Sequence, residues 1–101
     1  MGLFCRNKGG IDQAIDGAVA LAAERWLSFA AQSGLAGNIN LRDRVAFFWS
    51  GFREALERRY PALRGPADAL LLLIIAQGIE ASGLESRRMI ELQLGIILPP
   101  R

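Results

Sequence analysis

The chain has 101 residues, a formal net charge of +2, one cysteine and no histidine. A chain of this length most simply folds as one unit, so we expect residues 1–101 to form a single domain. Twelve Lys and Arg against ten Asp and Glu is not the strongly basic balance of a dedicated nucleic-acid binder. Without histidine, and with Cys5 alone, the sequence offers neither a nucleophile with its base nor a metal-ligand set. We therefore expect no enzymatic activity, no cofactor and no metal.

Hydrophobic residues make up 51% of the chain, and 11 further residues are glycine. Together they exceed the roughly 45–50% apolar usage, glycine included, of ordinary soluble domains. A small domain has too little interior to bury such a surplus. We therefore expect part of the surface to be covered by a protein partner or by a second copy of the chain. The single cysteine excludes an intrachain disulfide, which favours a reducing, cytoplasmic location.

The first predicted helix spans residues 11–33, between a glycine-containing breaker and Gly34, and the segment 1–10 before it is expected to be mobile. Its apolar stripe at helical spacing consists of Ile11, Ile15, Val19, Ala22, Trp26, Phe29 and Ala30. Small residues on the flank of this stripe, Ala14, Gly17 and Ala18, would let another helix approach closely. The pattern predicts a helix with two neighbours.

The second predicted helix spans residues 41–60, with Asn40 as its N-cap, an acidic residue in its first turn and Pro61 as its stop. Its apolar face is the most regular in the chain and consists of Leu41, Val45, Phe48, Trp49, Phe52, Leu56 and Tyr60. Phe47 breaks this pattern, because it points to the opposite side, among Asp43, Glu54 and Arg58.

The third predicted helix spans residues 66–82, with Pro66 in its first turn and Gly83 as a left-handed cap. Its apolar residues surround the helix for three turns, but the stretch Ala69 to Ile79 covers only roughly 16 Å against a ~30 Å bilayer core. We expect no transmembrane span. The helix is instead predicted to lie at the centre of the bundle.

A short fourth helix over residues 85–94 and an extended apolar tail over 95–101 complete the predicted chain. The fold class is therefore predicted as all-α, a single-domain bundle of four helices with a hydrophobic central third helix. No strand pattern, repeat or low-complexity segment is present in the sequence.

The favoured functional hypothesis is a non-enzymatic regulator, inhibitor or assembly subunit that binds another protein and associates with itself. An aromatic ring flanked by arginines is typical of interface hot spots, and the apolar tail offers further contact area. The candidate interface residues are Phe47, Arg44, Arg58, Leu73, Ile97 and Leu98.

Two alternatives remain at this point. Residues 74–94 have the outline of a helix-turn-helix with a turn at Gly83, and this interpretation assigns DNA contacts to Ser86, Arg87 and Arg88 at the start of the second helix. Nucleic acid is the less favoured partner because two exposed arginines are commonly a solvated face. The arginines that flank the aromatic stripe of residues 41–60 would also suit a membrane-surface protein.

Overall fold

The computed structural model describes residues 11–33, 40–65 and 67–99, and these form four α-helices. The helices are α1 (Ile11–Ser33), α2 (Leu41–Arg59), α3 (Asp68–Ser82) and α4 (Arg87–Leu94), with a short 3-10 turn at Pro61–Leu63 between α2 and α3. No strand occurs in the described ranges, so the prediction of an all-α chain with four helices is confirmed. Each helix boundary lies within two residues of its predicted position. The predicted mobile segment 1–10, the loop residues 34–39 and Pro66 lie outside the described residues.

The polar caps of two helices follow from the side chains at their first residues. Asn40 Oδ1 accepts a hydrogen bond from the Asp43 amide at 2.9 Å, which makes Asn40 the predicted N-cap of α2. Ser86 Oγ accepts from the Met89 amide at 3.2 Å, so α4 begins at Arg87 and not at residue 85. Backbone conformation ends α3, because Gly83 is left-handed, with φ of 80°, as predicted.

The closest helix packing joins α1 to α3 through small residues. A Cβ on Gly78 of α3 would lie 2.9 Å from the Ala23 backbone nitrogen and would also clash with the Cβ of Ala22. The small flank of α1 is accordingly buried at Ala14 and Ala18, whereas Ile15 and Val19 of the predicted stripe are only partly buried. The predicted stripe is confirmed in part, because Ala22 and Trp26 are fully buried and Ile15 and Val19 pack against the core. The small flank, which was predicted to admit a second helix, is the side that α3 covers.

The apolar third helix lies in the interior. From Leu70 to Glu80 no residue of α3 is exposed, and most of its large side chains belong to the core. The buried residues of α3 are Leu71, Ile74, Ile75, Ala76, Gly78 and Ile79. No helix within the described ranges combines the length and the apolar character needed to cross a membrane.

An aromatic cluster joins α1 to α2 beside this core. The Trp26 and Phe48 rings pack edge to face with centroids 5.1 Å apart, and the Phe48 and Phe52 rings stack at 5.3 Å. Phe29 completes the cluster, with its centroid 5.5 Å from both Trp26 and Phe48. The apolar face predicted for α2 is thus used inside the chain, which leaves Phe47 as the aromatic residue on the outer side of this helix.

Candidate protein-binding groove

A solvent-open groove of about 600 Å³ runs between α1 and α2. Phe48 and Phe52 are buried and Phe29 is half-buried, so the base of the groove is apolar and aromatic. Gly51 widens it, since nothing lies within 4 Å of the position where a Cβ would stand. The remaining lining residues are Leu21, Glu24, Arg25, Ser28, Gln32, Phe47 and Arg59. We call this feature the α1–α2 groove.

Phe47 stands at the edge of the α1–α2 groove, with 65% of its surface exposed. Its exposure follows from its place on α2, because the residues at helical spacing on the opposite side are buried against α1 and the rest of the core. The sequence prediction that Phe47 points away from the apolar face of α2 is confirmed. A large apolar ring is therefore presented to solvent directly beside an aromatic-lined depression.

The charged residues at the margin of the groove have no ion-pair partner within the described part of the chain. Arg25 projects from α1 and Arg59 from the last turn of α2, while Glu24 lies beside Arg25. Arg59 does contact the ring of Tyr60, with its guanidinium carbon 5.8 Å from the ring centroid. The groove thus combines an apolar base with charged groups that are available to a partner.

Arg44 was predicted to share a surface with Phe47, and this prediction was wrong. Its side chain is only 13% exposed, and Nη2 lies 3.0 Å from Glu85 Oε2 in the connection between α3 and α4. Its guanidinium also lies 5.8 Å from the ring centroid of the buried Trp26. Arg44 therefore ties α2 to the α3–α4 connection, because an ion pair in this half-buried place satisfies a charge that would otherwise be desolvated.

Two other predicted interface residues behave differently from each other. Arg58 is on the outer face of α2 with its side chain 74% exposed, and it makes a solvent-exposed i,i+4 ion pair with Glu54 at 3.5 Å. Leu73 is only partly exposed, because α3 is surrounded by the bundle and Leu73 packs against the core cluster. The structure thus places Arg58 on the same outer side of α2 as Phe47, and Leu73 on a different helix.

The tail after α4 is held against the bundle instead of projecting from it. Leu98 is 2% exposed and belongs to the core, so its prediction as an interface residue was wrong. Its amide donates to Glu91 Oε2 at 2.8 Å, and its carbonyl accepts from Arg87 Nη2 at 2.6 Å. Ile97 alternates to the other side and is 87% exposed.

The residues assigned to DNA contact are largely engaged within the chain. Arg87 pairs with Glu80 at 3.3 Å and with Glu91 at 3.8 Å, in addition to its hydrogen bond to the tail. The Ser86 hydroxyl is occupied as the N-cap of α4. Arg88 alone of the three remains exposed without an ion pair in the described residues.

Sequence reasoning missed the contribution of α1 to the groove. The pattern that could have indicated it is the series Leu21, Arg25, Ser28 and Gln32, which continues at helical spacing along the same side of α1 as Ala14 and Ala18. No group of potential metal ligands occurs within residues 11–33, 40–65 and 67–99. Comparisons of the chain with protein-family models, with curated proteins and with solved structures gave no match.

Proposed function

We propose that this chain is a non-enzymatic protein that acts by binding another protein, or a second copy of itself, through the α1–α2 groove. The observation that carries the proposal is Phe47, 65% exposed at the edge of a depression with an aromatic base. A helix laid into an apolar groove is a recurring mode of protein recognition. Aromatic and arginine side chains are also enriched among the residues that dominate binding energy.

The charges at the margin support the same function. Arg25 and Arg59 flank the apolar base from the two helices, and neither has a carboxylate partner in the described ranges. Charged groups around an apolar centre are the usual composition of an interface rim, where they set orientation and partner choice. We also propose a cytoplasmic location, because a chain with one cysteine cannot depend on an internal disulfide.

The other two hypotheses have less support. A DNA-binding role would rest on Arg88, since the Ser86 hydroxyl and the Arg87 guanidinium are used inside the chain. A membrane-surface role needs several exposed aromatics beside arginines, but Phe48 and Phe52 of the aromatic stripe face the core and Phe47 is the exposed phenylalanine of α2. Protein recognition makes use of Phe47 and the groove together, and we therefore favour it.

The proposal is tested with variants that fill the groove without disturbing the fold. Gly51→Leu adds a side chain where space is open, and Leu92→Ala is a matched control, because it shortens an apolar residue that is 75% exposed on α4. The folded wild-type chain is titrated with an anilinonaphthalene sulfonate dye and then with a panel of amphipathic helical peptides as competitors. We expect saturable dye binding, displacement by some peptides, and loss of both in Gly51→Leu but not in Leu92→Ala.

Circular dichroism is used to check that each variant is folded before its binding is measured. Equal dye and peptide binding by wild type and Gly51→Leu would show that the α1–α2 groove is not the binding surface. A wild-type chain that is monomeric at micromolar concentration and shows no saturable binding of dye or peptide would refute the proposed function itself.

A further inference from the structure

The outer face of α2 has a charge pattern that reverses from one end to the other. Asp43 lies in the first turn, is exposed, and has no ion pair within the described residues. Arg58 lies in the last turn on the same face, and its contact with Glu54 joins two side chains that are 74% and 79% exposed. Such an exposed pair contributes little stability, so Arg58 is available to a stronger partner.

The same face also carries a projection and a gap one helical turn apart. Phe47 projects with 65% of its surface exposed, and Gly51 leaves open space where a side chain would be. Ala46 and Ser50 beside them are exposed and small. Two helices bearing such residues can approach to the lower end of the ~8–10 Å separation of packed helices.

We infer that a second copy of this chain covers the outer face of α2 and the Phe47 edge of the α1–α2 groove, with the two α2 helices packed antiparallel about a two-fold axis near residue 50. This inference rests on the proposed function. A two-fold interface requires that one surface be complementary to itself. In this antiparallel arrangement, Asp43 of each copy lies level with Arg58 of the other along the helix axis. Phe47 of each copy lies level with Glu54 of the other, within one turn of that copy's Gly51.

The two charges determine the register. Asp43 and Arg58 are separated by about 22 Å along the axis at 1.5 Å per residue, and a two-fold axis midway between them lies between Ser50 and Gly51. In antiparallel packing both ion pairs form at once, whereas parallel packing would bring each charge beside its own kind. The antiparallel arrangement also sets the positive end of each helix dipole beside the negative end of the other. Charge and shape therefore select one orientation.

Charge reversal on the full chain tests the inference, with the association constant measured by sedimentation equilibrium at micromolar concentration and low salt. Asp43→Arg and Arg58→Asp alone each place like charges together at two symmetric contacts, and we expect the dimer Kd to weaken about tenfold in each. In a mixed dimer of the two variants, both contacts instead join an arginine of the first variant to an aspartate of the second. The mixture should therefore associate at least as tightly as wild type.

Asp16→Arg is the matched control, because Asp16 is an exposed acid on α1 without an ion pair in the described ranges; it should leave the Kd unchanged. If a charge reversal unfolds the chain, Asp43→Asn and Arg58→Gln replace it, with a smaller expected weakening of about threefold. A wild-type chain that stays monomeric but still binds the dye in its groove would overturn this inference and leave the proposed function standing. A dimer that is insensitive to both single reversals, or a mixture no tighter than its components, would also overturn it.

Discussion

Replacement of Gly78 by alanine is the sharpest test of the packing between α1 and α3. The added Cβ would lie 2.9 Å from the Ala23 nitrogen and 3.0 Å from the Ala22 carbonyl carbon. These are backbone atoms in the middle of a helix, so no side-chain rotation can remove the clash. A favourable carbon contact needs about 3.5–4.0 Å, so α1 and α3 must separate by about 0.5–1 Å and lose a quarter to a half of the dispersion energy between them.

Two opposing effects set the magnitude of this substitution. Overpacking of a close core contact costs about 1–3 kcal/mol, and a backbone clash belongs to the upper part of that range. Alanine in place of glycine inside a helix stabilises the folded chain by about 0.8–1.0 kcal/mol. We therefore expect Gly78→Ala to lower the free energy of unfolding by about 1–2 kcal/mol, which corresponds to a fall in Tm of about 5–15 °C for a chain of this size.

Gly51→Ala is the matched control, because it makes the same chemical change in α2 where nothing lies within 4 Å of the new Cβ. It should stabilise the chain by about 0.8–1.0 kcal/mol and raise Tm by about 4–8 °C. Both variants are unfolded thermally and with urea at submicromolar concentration, so that association does not contribute. A Gly78→Ala chain as stable as Gly51→Ala would refute the close approach of α1 and α3.

The remaining predictions concern the α4 side of the molecule. Leu98→Ala should lower the free energy of unfolding in urea by about 2–4 kcal/mol, since the side chain is buried; a loss below about 0.5 kcal/mol would mean that the tail does not pack on the core. Arg87→Lys should speed hydrogen exchange of the Leu98 amide, because an ammonium group cannot reproduce the forked contacts of Arg87, whereas Arg88→Lys should not. Glu85→Gln should cost about 1–2 kcal/mol by leaving Arg44 half-buried without its carboxylate, and a double-mutant cycle with Arg44→Gln should show non-additivity.

Helix positions could be predicted from the sequence because local chemistry determines them. Asn40 caps α2 through its own side chain, and Gly83 ends α3 by adopting a left-handed backbone. The start of α4 was predicted at residue 85, two residues too early, since a serine at a helix start can be either the cap or part of the first turn. These errors in helix boundaries are small because each boundary is determined by residues that are neighbours in sequence.

Contacts between helices were harder to predict, because hydrophobicity alone does not say which face another helix covers. Ile15 and Val19 are more apolar than Ala14 and Ala18, yet they are only partly buried against the core, whereas the alanines are buried. Small residues on α1 were predicted to admit another helix, but the pattern of α1 could not identify that helix as α3 or locate its close approach at Gly78. The packing of two helices depends on the residues of both segments, which are distant in sequence, and the pattern of one helix does not show which residues of the other will contact it.

The α4 side of the bundle and the α1–α2 groove differ in how many of their charged groups form ion pairs or hydrogen bonds within the chain. On α4 the Arg87 guanidinium is engaged by carboxylates and by the tail, so a charge suited to DNA instead holds the fold. Around the α1–α2 groove, Arg25 and Arg59 have no carboxylate partner in the described residues and line the same groove as the exposed ring of Phe47. Leu92 is exposed as well, but a single apolar side chain at the surface is ordinary. Contact with another surface would remove the apolar ring and the depression from water and pair the available charges, and we therefore propose α2 as the binding surface.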